Sequence, residues 1–280
     1  MIEVGPNSYG KSAIRLVKVD RHVTPHRVRD LTIAIALEGD FAASYSAGDN
    51  TAVIATDTMK NTCYALAGEH LTGAIEDFAI VLGQHFLAAG SEVERVRVAI
   101  DEHAWLPIGA APDAFTRDGS STRTTSVAVA RDGLEIRAGV TGLSLMKTTR
   151  SAFEGFPRDR FTTLKETDDR IMATKVTASW RYVSGEVDYD TAYDAVRSTF
   201  LEVFADHHSV SVQASIWIVG KAILERHPDV EEISMSLPNL HHWTVDLSPF
   251  GIANDREVYV STTEPHGLIE ATIRRSEGGR

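Results

Sequence analysis

Leu31, Ile33, Ile35 and Leu37 alternate with Thr32, Ala34 and Ala36, and no other pattern constrains the fold as strongly. Side chains two apart on a strand share a side, so these four build one apolar face. A strand with one such face belongs to a sheet packed on one side only, the usual state of antiparallel sheets. Further strand-like runs occupy 13–20, 93–100, 124–130 and 134–145. The last two flank Arg131-Asp132-Gly133, a hairpin signal. Two stretches between them have helical spacing instead. Met59, Cys63 and Leu66 form one stripe, which Gly68 closes. Ile75, Phe78, Leu82, Phe86 and Ala89 form a second, which Gly90 closes. Ala52 to Ala55 is a short strand-like apolar run that delivers Thr56 and Asp57 to the first helix.

The second half repeats this order. Residues 171–183 read as a strand, and Asp190 as the cap of a helix striped by Tyr193, Val196, Phe200 and Val203. Another helix covers 212–226 and stops before Pro228. Strands follow at 233–237, 243–247, 258–261 and 268–273. Each half is thus strands, a helix pair, then strands, with no residue-level repeat. Elements grouped in blocks favour an antiparallel α+β design over a parallel sheet.

A chain of 280 residues can bury a large core, as one large domain or two ordinary ones. Its net charge of −11 argues against a nucleic-acid partner and against docking on an anionic membrane. A few cations inside a pocket still suffice for a small anionic ligand. Cys63 is the one cysteine, so no intrachain disulfide forms, as suits a reducing compartment. With that single thiol and no H-E-x-x-H pair, no metal site is expected. Neither a phosphate loop nor a dinucleotide fingerprint is present, so nucleotide-driven and hydride-transfer chemistry are unsupported. No apolar stretch is long enough to span a bilayer, and the first residues do not read as a signal peptide. The tail Ser276-Glu277-Gly278-Gly279-Arg280 is not the peroxisomal Ser-Lys-Leu address. The expected location is the cytoplasm of a bacterial-type cell.

The chemistry-bearing residues are scattered. They are Tyr9-Gly10-Lys11, the run from Thr56 to Thr62, Phe153, the run from Phe161 to Thr167 ahead of Asp169-Arg170, Val212-Gln213, and Asn239-Leu240-His241. In this order, from about Tyr9 to Ile273, they resemble the urate oxidase (uricase) family. The resemblance implies tandem T-fold units, drawn here as 1–132 and 133–280, each an antiparallel sheet with a helix pair. It implies subunits closing into a β-barrel tunnel and stacking into a homotetramer. It also implies a reaction that needs no cofactor, turning urate, O2 and water into 5-hydroxyisourate and hydrogen peroxide.

The same resemblance assigns roles. Lys11 matches a catalytic lysine relaying protons through Thr56. A lysine acts as a base near neutral pH only where burial or nearby positive charge favours its neutral form; Arg170 is the candidate neighbour. Asp57 would open a helix whose N-terminus suits an anion. Arg170 and Gln213 match the pair that holds the purine in its plane, a donor fork beside a donor–acceptor amide. Phe153 matches a stacking platform, Val212 a backbone contact and Ile269 an apolar one. Asn239 would hold oxygen or water over the ring, and His241, titrating near neutrality, would order Lys11 and shuttle a proton. His242 is expected on the opposite face of its strand, and His207 and His208 at a helix C-terminus. Glu154 and Pro157 depart from the family pattern beside Phe153. In that family two subunits share a site, with Lys11, Thr56, Asp57 and His241 on one side and Arg170 and Gln213 on the other.

Taken alone, these residues have plainer readings: an exposed lysine, a helix N-cap at Thr56 or Asp57, a core phenylalanine. Two other functions share the fold or the pocket: a T-fold cyclohydrolase or aldolase, and a non-catalytic purine-binding oligomer. The latter would keep Arg170, Gln213 and Phe153 but would not need Lys11 or His241.

Overall fold

The alternation at 31–37 falls in strand β2 (Arg27–Gly39), where Leu31, Ile33 and Leu37 are 0% exposed. A computed structural model describes residues 2–276 of the chain; Glu277 to Arg280, the end of the tail discussed above, lie outside the described residues. The chain divides into two compact units, Met1–Gly139 with Arg181–Tyr193, and Val140–Trp180 with Asp194–Arg280.

In the first unit β1 (Ser8–Asp20), β2, β3 (Val93–Glu102) and β6 (Thr122–Ala130) lie side by side, each antiparallel to the next. β4 (Trp105–Pro107) and β5 (Phe115–Arg117) make a separate ribbon. β7 (Gly133–Lys147) follows β6 through the turn at Arg131-Asp132. A short helix α1 (Ala42–Ser46) precedes α2 (Thr56–His70) and α3 (Ile75–Ala89). Ile75, Phe78, Leu82 and Phe86 of α3 are buried as the helical spacing requires, whereas Ala89 is exposed. Gly83 permits close approach, since a Cβ there would lie 2.4 Å from Val129 Cγ2 on β6.

α2 starts where the sequence reading put it but runs past its expected end, and the plainer N-cap reading of Thr56 or Asp57 fails. Its cap is Ala55, without a side-chain cap bond, so Thr56 and Asp57 are the first two helical residues and neither is the N-cap. Gly68 lies inside the helix. The stop comes from Lys18, whose Nζ donates to the carbonyls of Ala67 (2.8 Å), Gly68 (3.1 Å) and Leu71 (3.0 Å). A lysine there satisfies orphan carbonyls and the negative helix end together. Ala52 to Ala55 forms a turn and an extended lead rather than a strand. It is tied to β1 by Ile54 N–H donating to Tyr9 Oη, 2.7 Å.

The second unit orders β8 (Met172–Tyr182), β9 (Val230–Thr244) and β10 (Tyr259–Arg274). Its helices are α4 (Tyr189–Asp206), whose first turn belongs to the first unit, and α5 (Val212–Arg226). The cap of α4 is Asp188, not Asp190: its carboxylate accepts from Thr191 N–H (3.1 Å) and Thr191 Oγ1–H (2.8 Å). Phe204 rather than Val203 completes the buried stripe of α4. The runs at 233–237 and 243–247 belong to one strand that ends at Thr244, and those at 258–261 and 268–273 to another. Cross-strand hydrogen bonds carry both strands through residues whose side chains give no strand signal.

Two bulges set the geometry that matters for function. On β1 the pairs Lys11↔Ile35 and Ile14↔Ile33 leave Ser12 and Ala13 facing Ala34 alone, with Ala13 left-handed at φ 56°. The bulge shifts the alternation by one. Ile14, Leu16 and Lys18 face the helices below it; above it Lys11 and Tyr9 face that side, opposite Ile35 and Leu37. On β10, residues 263–266 loop out opposite Leu240, between the pairs Thr262↔His241 and Gly267↔Asn239.

Gly10 makes the first of these possible. A Cβ at that position would lie 1.8 Å from the Ile35 carbonyl oxygen, an overlap with backbone that no rotamer relieves. Gly10→Ala is expected to force β1 off β2. The denaturation midpoint should fall by an amount equivalent to about 1–3 kcal/mol or more, and the position of Lys11 should be lost with it. Chemical denaturation that matches the parent protein would disprove this constraint.

Candidate active site

The second unit holds a cleft of about 660 Å³, within the common range for small-ligand sites. Phe153, Arg170, Val212, Gln213, Asn239, His241 and Ile269 all line it. They come from four segments far apart in sequence.

The start of α5 forms one wall. Ser211 is extended and caps the helix, its Oγ accepting from Ala214 N–H at 3.1 Å. Val212 and Gln213 are therefore the first helical residues, with Val212 buried and the Gln213 side chain exposed. First-turn amides and the positive helix end together favour a negative ligand group.

The segment before β8 forms another. Phe153 is held at its backbone by Thr167: its N–H donates to the Thr167 carbonyl (2.8 Å), and Thr167 N–H donates back (3.2 Å). Its ring stacks on Phe156 at 5.0 Å and 12°. The departures Glu154 and Pro157 point to solvent and leave this pairing intact. Arg170 N–H donates to the Ser151 carbonyl at 2.7 Å, and its guanidinium sits 5.2 Å from the Phe153 ring centre. Its Nε is buried and makes no hydrogen bond among the described residues. Burial pushes the Arg170 pKa down from its ordinary value, a sign that this cation is held away from water. A desolvated guanidinium with an unpaired donor is a strong anion-binding group.

The third wall is β9. Asn239 and His241 continue the row of Ile233, Met235 and Leu237, three residues buried beneath the helices. The row runs past the end of the packed core, so its polar members face the cleft. Ile269 pairs with Leu237 and shares that face. The His241 ring stacks on Trp243 at 5.4 Å and 30°. Burial lowers the His241 pKa, and the positive charge of Arg170 and of His266 and His242 lowers it further. His241 is thus neutral near pH 7 and able to accept a proton. It belongs with Arg170 and Gln213 in one chain, which corrects the expectation that grouped it with Lys11 on the opposite side. His242, expected on the opposite face, also borders the cleft, and its Nδ1 contacts the Leu240 carbonyl at 3.1 Å.

Lys11, Thr56 and Asp57 lie in the first unit. Thr56 is half-buried and Asp57 exposed at the start of α2. The Asp57 carboxyl is held below its ordinary pKa by hydrogen bonding and charge from Lys60, a hydrogen bond from Asn61 (2.9 Å), and the positive charge of Lys11. Lys11 is therefore near the helix start that carries Thr56.

The sequence reading missed Trp243, Tyr259 and Arg256, which border the cleft together with Lys165 of the Phe161–Thr167 run. Trp243 had a signal, two residues beyond His241 and so on the same face. Tyr259 and Arg256 had none, since their place depends on the chain returning through β10. Among the described residues, no group of three or more His, Cys, Asp or Glu converges as a metal site, and no helix is long and apolar enough to cross a membrane.

The His241 environment gives a test without turnover. Removing a positive neighbour stabilises the imidazolium, so Arg170→Gln should raise the His241 pKa toward about 6.5. NMR titration of the His241 ring reads the shift directly; an unchanged midpoint would separate the two groups electrostatically.

A family model described as Uricase matches residues 7–128 and 136–270. The chain is 46% identical over 279 residues to a uricase of Arthrobacter globiformis, covering 100% of this chain and 92% of the relative. It is 38% identical to a uricase of Dictyostelium discoideum, covering 96% of each. The crystal structure of the Arthrobacter globiformis uricase superposes with a TM-score of 0.96 at 46% identity, covering 100% of this chain and 97% of that one. A T-fold sheet with helix pairs, a desolvated arginine beside a helix start, and agreement along nearly the whole sequence converge on one conclusion: the chain belongs to the uricase family.

Proposed function

We propose that this chain is a urate oxidase that converts urate, O2 and water to 5-hydroxyisourate and hydrogen peroxide. The observation that carries the reading is the partly desolvated Arg170 guanidinium, its Nε without a hydrogen bond among the described residues, 5.2 Å from the Phe153 ring centre in a cleft bordered by the Val212-Gln213 helix start. A flat anion fits this set. The arginine fork takes a carbonyl and a deprotonated nitrogen, the Gln213 amide takes the adjacent edge, and Phe153 stacks on the ring. Stacking of a base on an aromatic contributes about 1–3 kcal/mol.

The chemistry follows from the substrate's own electrons. Two electrons pass from the urate ring to O2, two protons complete the peroxide, and water adds its hydroxyl to the oxidised ring. The protein's share is to bind, to move protons and to place O2 and water. Lys11 accepts a proton through the Thr56 hydroxyl, which can accept and donate at once. Asn239 holds oxygen or water over the ring, and neutral His241 relays the remaining proton. The substrate supplies the reducing power, so no cofactor is required.

Subunits complete the site in this reading. Lys11, Thr56 and Asp57 of one chain face Arg170, Gln213 and His241 of another in a homotetramer, and tandem T-fold units at 1–132 and 133–280 close into a barrel tunnel. The edges support it. Among the described residues β1 pairs only with β2, and β10 only with β9, leaving each with an open side. On β10, Val260 and Leu268 are 48% and 61% exposed. Open strand edges with apolar residues seek partners, and barrel closure removes them. The single cysteine fits a cytoplasmic location.

Loss of urate's ultraviolet absorbance, matched by O2 uptake and peroxide in chelator-treated buffer, is the expected result; a folded tetramer that leaves urate intact refutes the activity. Lys11→Met should bind urate while turning it over about 10²-fold or more slowly. Near-parental turnover would remove Lys11 from the relay. Arg170→Ala should chiefly weaken binding. A verified monomer should be inactive, and activity there would sink the shared site.

A further inference from the structure

We propose that a buried chain of side chains, Ser209–Ser215–His207, positions the ring-gripping residues, with His207 as the acceptor that orients the Ser215 hydroxyl. The inference rests on the reading of Phe153, Arg170 and Gln213 as the purine clamp. None of the three residues lines the cleft, and Ser209 and Ser215 are 0% exposed.

Ser209 joins the three segments that carry the clamp. Its N–H donates to the Arg150 carbonyl at 2.9 Å, and its carbonyl accepts from Ala152 N–H at 2.7 Å. That pairing fixes the strand-like piece leading into Phe153, and Ser151 within it accepts from Arg170 N–H. The Ser209 hydroxyl lies 2.7 Å from Ser215 Oγ, 3.1 Å from the Ser211 carbonyl and 3.3 Å from Met172 Sδ. Ser211 and Ser215 bracket Gln213 in the first turn of α5, and Met172 opens β8 two residues after Arg170. Phe153 and Gln213 lie within two residues of Ala152 N–H and Ser215 Oγ, which this hub bonds, and Arg170 is bonded to Ser151 beside Ala152.

His207 supplies the direction. Its Nδ1 contacts the Val203 carbonyl at 2.7 Å, and a carbonyl only accepts, so Nδ1 carries the proton. In the neutral ring Nε2 then accepts from the Ser215 hydroxyl at 2.7 Å. Ser215, whose Oγ also lies 3.2 Å from the Ser211 carbonyl, is left to accept from Ser209, whose one proton then goes to Ser215 and leaves the Ser211 carbonyl and Met172 Sδ as close neighbours only. Burial lowers the His207 pKa, which the Val203 bond opposes and the charges of Lys147, Arg150 and His208 assist; the neutral form prevails near pH 7. Helix stability alone does not require this arrangement, because Ser211 already caps α5. Satisfied buried networks rigidify what they touch, and what this one touches is the frame of the clamp.

The test uses the assembled enzyme and xanthine, a purine-dione probe, with melting temperature measured in parallel. Ser215→Ala and His207→Asn should weaken xanthine binding about tenfold and raise the urate KM in step. His207→Gln can still accept from Ser215 at the Nε2 position and should stay within about twofold of the parent. The Asn and Gln variants each give up one hydrogen bond, so a merely structural role predicts equal losses from both, tracking the melting temperature. Equal losses, or parental binding in Ser215→Ala, overturn the proposal. Arg170→Ala is the control: parental binding there refutes the clamp reading itself, whereas weakened binding with an unaffected Ser215→Ala refutes only the positioning chain.

Discussion

The steric contact that forces Gly10 to be glycine, a carbonyl of β2 pressed against β1, underlies the placement of Lys11 in the first unit. It holds β1 against β2 through a bulge, and the bulge moves Lys11 onto the helix-facing side of the sheet. Ala13 adopts a left-handed conformation there, which costs about 1–2 kcal/mol and persists only because both flanks of the bulge are paired. The second unit uses a related device. The loop-out at 263–266 lets β10 stay paired with β9 on both sides of Leu240, between Asn239 and His241. In both units polar residues sit at the end of a row whose other members are core, where the helix layer stops. That geometry gives a polar group a rigid base and an open front.

Electrostatics then act locally against the overall charge. The net charge is −11, yet the cleft sets Arg170, Arg256 and Lys165 against Glu166 and Asp169, with Arg256 paired to Asp169 at 3.5 Å, which leaves a small local excess of positive charge beside the start of α5. Inside a partly desolvated pocket a few such charges outweigh a distant field that solvent screens. The same burial that strengthens Arg170 as an anion binder keeps His241 neutral, so one wall presents a fixed cation and the other a proton acceptor. Both pKa values are pushed down, yet the guanidinium starts so high that it stays charged while the imidazole does not, which leaves a fixed cation beside a group able to take a proton.

Much of this is legible in the sequence. The alternation of β2, the stripe of α3, the hairpin at Arg131-Asp132 and the span of α5 all follow from periodicity and turn chemistry, which act over a few residues. The errors fell where a distant side chain intervened. Lys18 ends α2 beyond Gly68, and Asp188 caps α4 in place of Asp190 because its backbone, not its residue type, is placed to receive Thr191. The residues proposed to grip the ring are visible in the sequence only through resemblance, since nothing local separates Phe153 from any core phenylalanine.

The sequence by itself determined the α+β class, most elements and the residue types available for anion binding and proton transfer. Those depend on side-chain size, polarity and spacing, which the chain carries with it. Only the tertiary structure decided which face Lys11 takes, which residues share a cleft with Arg170, and that His241 stands with it. Each of these is set by pairing register, bulges and burial, which arise from contacts between segments hundreds of atoms apart along the chain and leave no mark in any short stretch of it.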